Sequence, residues 1–188
     1  MTEWQRGWRI VLGAALAAGT GVNLLYSVSS IFIPQLQKET GWTLGQFSQI
    51  SALVGLGSLA APAAGWAMDR FGFRRIYALG MILIACVYVA VATLPLILPL
   101  YAVAVFMAGL IGLMTSSIAY TRAVNGWFKI NRGFALSLAA TGLSLSAVVF
   151  PPLFEWLVAG QGWRAGYLAL ALLSGLVGLP AIMFLVSD

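Results

Sequence analysis

One carboxylate and three guanidinium groups lie within seven residues of the stretch GWAMDRFGFRR, residues 65–75. Asp69 and Arg70 are adjacent, and Arg74 and Arg75 follow a glycine. Such groups form charge-assisted hydrogen bonds, and a contact present in only one of two conformations biases the equilibrium between them. Since only 8% of the residues are charged, the stretch is a candidate gate. A purely topological role for its arginines is the alternative.

Four polar side chains form a second candidate site, suited to a small anion. Asn23 and Tyr26 lie three residues apart in the first apolar run, and Tyr120 and Arg122 lie at the end of the fourth. Polar groups deep in a transmembrane helix are costly in lipid, so Asn23 and Tyr26 should face a cavity or bond another helix. Arg122 could clamp a carboxylate, although its place near the interface favours headgroup contact or gating. We predict that these four residues line a cavity that could hold a small anion.

The chain lacks the histidine and cysteine residues on which many catalytic and metal sites depend. The chain has no histidine and a single cysteine, Cys86, inside the third apolar run. Zinc-dependent hydrolysis and a histidine-based nucleophile relay are therefore excluded. We predict that the protein is not an enzyme and needs no metal and no cofactor.

The residues of both candidate sites lie in or between apolar segments, because 61% of the chain is hydrophobic and its mean hydropathy is +0.96. A helix needs about 20 apolar residues to cross a bilayer. The first run continues to Ile33, longer than a cleaved signal core, so it should remain as a helix. We predict an all-α membrane protein, a single six-helix bundle over residues 1–188, with transmembrane helices at roughly 8–33, 44–66, 76–94, 99–121, 133–156 and 165–186.

The basic residues predict the orientation of the bundle. Short cytoplasmic loops collect lysine and arginine. Eight of the ten basic residues lie at the N-terminus, in the break between the second and third apolar runs, or in the break between the fourth and fifth. They are Arg6, Arg9, Arg70, Arg74, Arg75, Arg122, Lys129 and Arg132, and only Lys38 and Arg164 fall elsewhere. Both termini should therefore be cytoplasmic. The protein should be a multi-pass protein of the plasma membrane, in contact with the lipid bilayer. The net charge of +5 is a topology signal and indicates no nucleic-acid partner.

The two halves of the chain resemble each other. A segment from Gly41 and another from Gly126 both begin with Gly-Trp, pass through a small-residue helix and reach a proline. They end in GFRRIYAL and GWRAGYLAL, which lie 90 residues apart. The first signature is cytoplasmic and the second external in the predicted topology. We therefore predict a 3+3 inverted repeat, as in many transporters, with chance similarity between apolar segments as the alternative.

These motifs resemble those of a transporter family. The pattern G-x-x-x-D-R-x-G-x-R-R at 65–75 resembles the loop 2–3 signature of the major facilitator superfamily, with Phe73 where a basic residue is common. WFKINRGFALSLAATGLSLSAVVFPPL followed by GWRAGYLAL is similar to a pattern of its monocarboxylate and oxalate:formate antiporter group, with Asn131 replacing an arginine. The helix 4 arginine and helix 5 glycine-proline motif of drug:proton antiporters have no counterpart here.

The resemblance implies roles for both candidate sites. It implies that Gly65, Asp69, Arg70, Gly72, Arg74 and Arg75 belong to a cytoplasmic gate motif, in which the Asp and Arg lock two halves together while the pathway faces outward. It also supports Tyr26, because oxalate:formate relatives place a tyrosine of helix 1 at the substrate. The substrate pathway residues of this chain would then be Asn23, Tyr26, Tyr120 and Arg122.

Length limits this interpretation, because members of the group carry twelve helices and this sequence predicts six. We therefore predict the N-terminal half of a secondary active transporter for small organic anions, with a missing C-terminal six-helix half as its partner. One alternative is a transporter of another solute that works as a dimer of halves, with a second copy as partner. Another is a non-transporting membrane assembly partner. A chain rich in Ala and Gly, with little outside the membrane, indicates a bacterial inner membrane.

Overall fold

The computed structural model describes residues 3–116, 121 and 124–186, apart from the side chains of Gln5 and Arg6. Helices make up its architecture, and the described residues contain no strand, so the all-α prediction is confirmed. The helices are α1 Glu3–Thr20, α2 Val22–Thr40, α3 Leu44–Gly57, α4 Ala61–Phe71, α5 Phe73–Thr93, α6 Leu98–Gly112 and α7 Arg132–Leu173. Turns of 3₁₀ helix at Ser58–Ala60 and Leu113–Thr115 extend α3 and α6, and π-helical segments at Ser174–Gly178 and Ala181–Leu185 follow α7.

Five helical segments of the described chain are long and apolar enough to cross a membrane. They are Gly7–Thr40, Leu44–Phe71, Phe73–Thr93, Leu98–Thr115 and Arg132–Leu185. The protein is therefore a multi-pass membrane protein. The count differs from the predicted six because the last two predicted helices form one helical segment of 54 residues.

That last segment is not straight, because it reverses at Gly162. The backbone angles of Gly162 are φ 84° and ψ 168°, a region open almost only to glycine. The Phe32 ring lies 6.3 Å from the Phe154 ring, before the break, and 4.7 Å from the Tyr167 ring, after it. Two arms of the segment thus contact the same part of α2. A straight helix of this length would extend about 80 Å, far beyond the ~30 Å hydrocarbon core.

The helices extend past the predicted apolar runs. The helix predicted over 8–33 begins at Glu3 and continues through α2 to Thr40, and the one predicted to end at 66 continues to Phe71. The helices are longer than the predicted transmembrane spans because an apolar run stops at the first polar residues, whereas Gln, Lys and Glu are good helix formers. The helix ends instead at Gly41, whose φ is 74° and whose N–H donates to the Gln37 carbonyl.

A break at Gly21, which the sequence did not predict, separates α1 from α2. Backbone groups freed in the membrane need partners. The Val22 N–H donates to Oγ1 of Thr115 at 3.3 Å, and the Ser174 hydroxyl donates to the Thr20 carbonyl at 3.0 Å. We call Thr20, Thr115 and Ser174 the polar junction. It joins α1, the end of α6 and the segment after α7, and all three residues are buried.

The elements gather at two ends. At the Glu3 end, the Glu3 carboxylate accepts bonds from the backbone of residues 129–131, and Arg9, Arg74 and Met183 line one cleft. At the Glu39 end, Glu39 meets Trp163 and Arg164. One end of the bundle therefore holds the start of the chain, the predicted second and fourth breaks, and the last described segment. The basic residues of the first three are thus grouped at one end.

Glu3 holds the start of α7 in place. Its carboxylate accepts the backbone N–H groups of Lys129, Ile130 and Asn131 at 3.1, 3.2 and 3.2 Å. These groups precede the first turn of α7, where a negative charge also suits the helix dipole. The hydrogen bonds, that from Lys129 first, lower the pKa of the Glu3 carboxyl.

Glu3→Gln is expected to loosen this contact. A carboxyl with a lowered pKa stabilises the folded state above its unfolded pKa of about 4.3, and the contribution is lost as the pH falls through the folded value. Hydrogen exchange of the Lys129, Ile130 and Asn131 amides should therefore be faster in Glu3→Gln at neutral pH, and in the wild type at acid pH after correction for intrinsic rates. Equal protection factors in both proteins at neutral pH would contradict this role.

Candidate functional site

The gate motif forms a sharp corner between α4 and α5. Gly72 has φ 90° and ψ 139°, its N–H donates to the Met68 carbonyl at 3.0 Å, and its carbonyl accepts from the Ile76 N–H at 3.3 Å. One residue thus ends α4 and begins α5. The corner sets Asp69 and Arg70 in the last turn of α4 and Arg74 and Arg75 in the first turn of α5.

The charged side chains of the corner point to different partners. Asp69, Arg70 and Arg75 are exposed. The Arg70 guanidinium lies 5.2 Å from the ring centre of Trp66 and 5.7 Å from that of Phe71. The Arg74 guanidinium donates to the main-chain carbonyl of Met183, a C-terminal helical carbonyl that a cation suits. Arg74 therefore fastens the last described segment to α5, while Asp69 and Arg70 remain accessible at the surface.

Replacing Gly72 with alanine should destabilise the fold. A side chain at φ 90° is strained, at a cost of about 1–3 kcal/mol. We expect a lower midpoint of thermal unfolding in detergent for Gly72→Ala. Gly133→Ala is the matched control, because Gly133 has ordinary helical geometry and a Cβ there would meet nothing within 4 Å. Equal midpoints for the two variants would show that the corner tolerates a side chain.

The predicted pathway residues of the first helix lie just beyond the Gly21 break. The Tyr26 side chain is 52% exposed. Asn23 is half-buried, and its Nδ2 has no hydrogen-bond partner among the described residues. The Ser27 and Ser29 hydroxyls, by contrast, donate to carbonyls of their own helix. Asn23 and Tyr26 are therefore among the donors of this part of α2 that could bind an anion. Tyr120 and Arg122 lie outside the described residues, so their predicted roles stay predictions.

The polar junction was missed by sequence reasoning. Single hydroxyl residues occur in most of the apolar runs, so neither Thr115 nor Ser174 stood out. The Tyr77 hydroxyl donates to the Thr115 carbonyl at 3.3 Å. Since Tyr77 follows Arg74 by three residues on α5, a continuous set of contacts connects the corner to the helix break beside Asn23.

No three acidic or cysteine side chains among the described residues meet in a group that could hold a metal ion. The chemistry of these sites is that of hydrogen-bond donors beside a helix break and of cations and a carboxylate at one end. Such donors and cations have the chemistry to bind a small anion.

Comparisons with known proteins agree with this description. Residues 11–188 match the family model of the Major Facilitator Superfamily. The chain is 27% identical over 177 residues to Monocarboxylate transporter 13 of Bos taurus, covering 89% of this chain and 39% of that protein. It is 27% identical over 166 residues to Monocarboxylate transporter 4 of Rattus norvegicus, covering 87% and 35%. A probable sulfoacetate transporter of Cupriavidus necator is 28% identical over 149 residues, covering 77% and 34%. The chain thus spans well under half the length of the curated relatives it matches.

Proposed function

Because this chain belongs to the Major Facilitator Superfamily, we propose that it is the N-terminal half of a secondary active transporter for small organic anions. Monocarboxylates and oxalate or formate are the substrates that the proposal names. The observation that carries it is the match over residues 11–188 together with relatives named monocarboxylate and sulfoacetate transporters. Those names share one substrate chemistry, a small molecule with at least one anionic group.

The half consists of six transmembrane helices in this proposal. The reversal at Gly162 supports a division of the Arg132–Leu185 segment into two spans. Gly72 and Gly162, 90 residues apart, both have positive φ, and both are followed by an aromatic residue and an arginine. They lie at the Glu3 end and the Glu39 end respectively. Two equivalent corners at opposite ends are what a 3+3 inverted repeat requires.

The Glu3 end is the cytoplasmic end in this proposal, and a bacterial inner membrane is the location. The grouping of basic residues supports the orientation. The single cysteine offers a test: in a Cys86→Ser background, Lys129→Cys should react with a membrane-impermeant maleimide only after cells are opened. Lys38→Cys should react in intact cells. The reverse pattern would overturn the orientation.

Alternating access assigns roles to both sites. Asp69 and Arg70, accessible at the cytoplasmic end, contact the C-terminal half while the pathway faces outward and release it when the pathway faces inward. Asn23 and Tyr26 donate hydrogen bonds to the anion, joined by Tyr120 and Arg122. The helix break beside Asn23 supports this placement, because broken helices in transporters occur where backbone lines a cavity.

The intact mass of the protein from native membranes, without tag or truncation, tests whether the chain is one half of a longer protein. A mass near twice the 19.9 kDa of this chain is expected. A mass near 19.9 kDa would overturn the missing half and favour a dimer of halves or a membrane assembly partner. In that case, transport that rises with the square of the chain density in vesicles would favour the dimer of halves over the assembly partner.

A further inference from the structure

The two basic residues that stand apart from all the others meet in one cleft. Lys38 ends α2, and Arg164 follows the reversal in α7. Both line a cleft of about 490 Å³ at the Glu39 end, together with Gln35, Glu39, Gln161 and Trp163. The other described basic residues begin α1 or α7 or flank the Gly72 corner, all at the Glu3 end.

Hydrogen bonds fix the walls of this cleft. The Gln35 side chain donates to the Val158 carbonyl at 2.6 Å, which ties α2 to the arm before the reversal. The Trp163 indole N–H donates to one Glu39 oxygen at 2.6 Å, and the Arg164 guanidinium lies 3.0 Å from the other. The same guanidinium lies 4.4 Å from the Trp163 ring centre. Arg164 is thus held in one orientation.

The charge of the cleft is not balanced. Glu39 neutralises Arg164, and Lys38 makes no hydrogen bond or ion pair with any described residue. The guanidinium carries five N–H donors, and the salt bridge engages one of its nitrogens. An ammonium, the remaining guanidinium donors and the Gln161 amide therefore border one open volume. A carboxylate is the ligand that such a set of donors recognises.

The geometry points to an anion-recruiting site at the outer mouth of the transporter, in which Lys38 and Arg164 bind small carboxylates before they enter the pathway. The exposed positions of α2 recur every fourth residue from Tyr26 through Ser30 and Pro34 to Lys38. This strip connects the cleft to the pathway residue about 18 Å away along the helix. Cations at the mouth of a cleft raise the local concentration of an anionic substrate. The choice of carboxylates rests on the proposed function, whereas the site rests on the geometry.

A titration of the Trp163 indole signal tests the site. The 188-residue chain, labelled with ¹⁵N-tryptophan and held in phosphatidylcholine nanodiscs at low salt, is titrated with sodium acetate against sodium sulfate at matched ionic strength. Acetate that bonds the remaining Arg164 donors changes the surroundings of the Glu39 carboxylate, which the Trp163 indole N–H contacts, so the indole N–H signal of Trp163 should shift and saturate. Lys38→Gln should weaken the apparent affinity about two- to fivefold, the range expected for one exposed charge contact, and Lys38→Arg should retain it.

Lys129→Gln, which removes a cation at the opposite end, is the matched control and should leave the titration unchanged. The absence of a saturable shift would overturn the site, as would equal affinities in Lys38→Gln and the wild type. A shift produced by phosphatidylglycerol nanodiscs alone, to which acetate adds nothing, would also overturn it, because the ligand would then be a lipid headgroup. Loss of carboxylate transport in the native protein, with this shift intact, would contradict the proposed function and leave the site standing.

Discussion

Gly142→Leu is expected to prevent α1 from packing against α7 and to destabilise the chain by about 3 kcal/mol or more, the upper end of the cost of overpacking. A Cβ on Gly142 would lie 2.6 Å from the carbonyl carbon of Ala15 and 2.7 Å from its Cα. A Cβ on Gly19 would lie 2.9 Å from the Gly142 carbonyl oxygen. The atoms in the way belong to backbone, which cannot rotate aside. Helix association in lipid depends on this close approach.

The effect can be measured by thermal unfolding in detergent, followed by tryptophan fluorescence and by the monodisperse fraction on size exclusion. Gly133→Leu is the control on the same helix, because Gly133 is exposed and a Cβ there meets nothing within 4 Å. Gly142→Ala should give an intermediate loss. If Gly142→Leu unfolds at the same temperature as Gly133→Leu, the contact between α1 and α7 is not what holds these helices together.

Asp69→Asn is expected to lower transport by the native protein at least about tenfold, because about 1.4 kcal/mol of bias between two states changes their ratio that much. The carboxylate lies in the last turn of α4, where a negative charge opposes the helix dipole. Its side chain is exposed, so its contacts should change the free energy of unfolding by less than about 1 kcal/mol. The effect should therefore fall on the conformational equilibrium and not on the fold.

The measurement compares initial uptake rates and unfolding midpoints of Asp69→Asn and wild type in one preparation. Arg75→Gln, whose side chain is also exposed at the corner, separates the two roles of the arginines: a gate role predicts lower transport, and a topological role predicts unchanged transport once the protein is inserted. Unchanged transport in Asp69→Asn would contradict the gate. A large drop in the unfolding midpoint would instead assign Asp69 to the fold.

Some features of the fold followed directly from local sequence. The sequence predicted a break between two helices at DRFG, and Gly72 lies there with a positive φ. GFRRIYAL and GWRAGYLAL resemble each other in sequence, and the glycine of the second, Gly162, also has a positive φ. Such features were predictable because backbone sterics act within a few residues.

Other features depend on contacts between distant residues, which periodicity does not contain. The break at Gly21 is stable because Thr115 and Ser174 supply hydrogen bonds from elsewhere in the chain. Glu3 stands at the start of the chain and accepts hydrogen bonds from the backbone just before a helix that begins at Arg132. Arg74 belongs to the gate motif, and the motif alone could not show that its guanidinium bonds the Met183 carbonyl.

Counterflow in proteoliposomes tests the central claim most directly. Vesicles holding the natively expressed protein are loaded with unlabelled lactate, oxalate, formate or acetate, and entry of the same labelled anion is followed after dilution. The account predicts saturable counterflow of at least one of these anions by the native protein and none by the purified 188-residue chain. Counterflow by the 188-residue chain alone, or no carboxylate counterflow by a native protein that is shown to be folded, would contradict it.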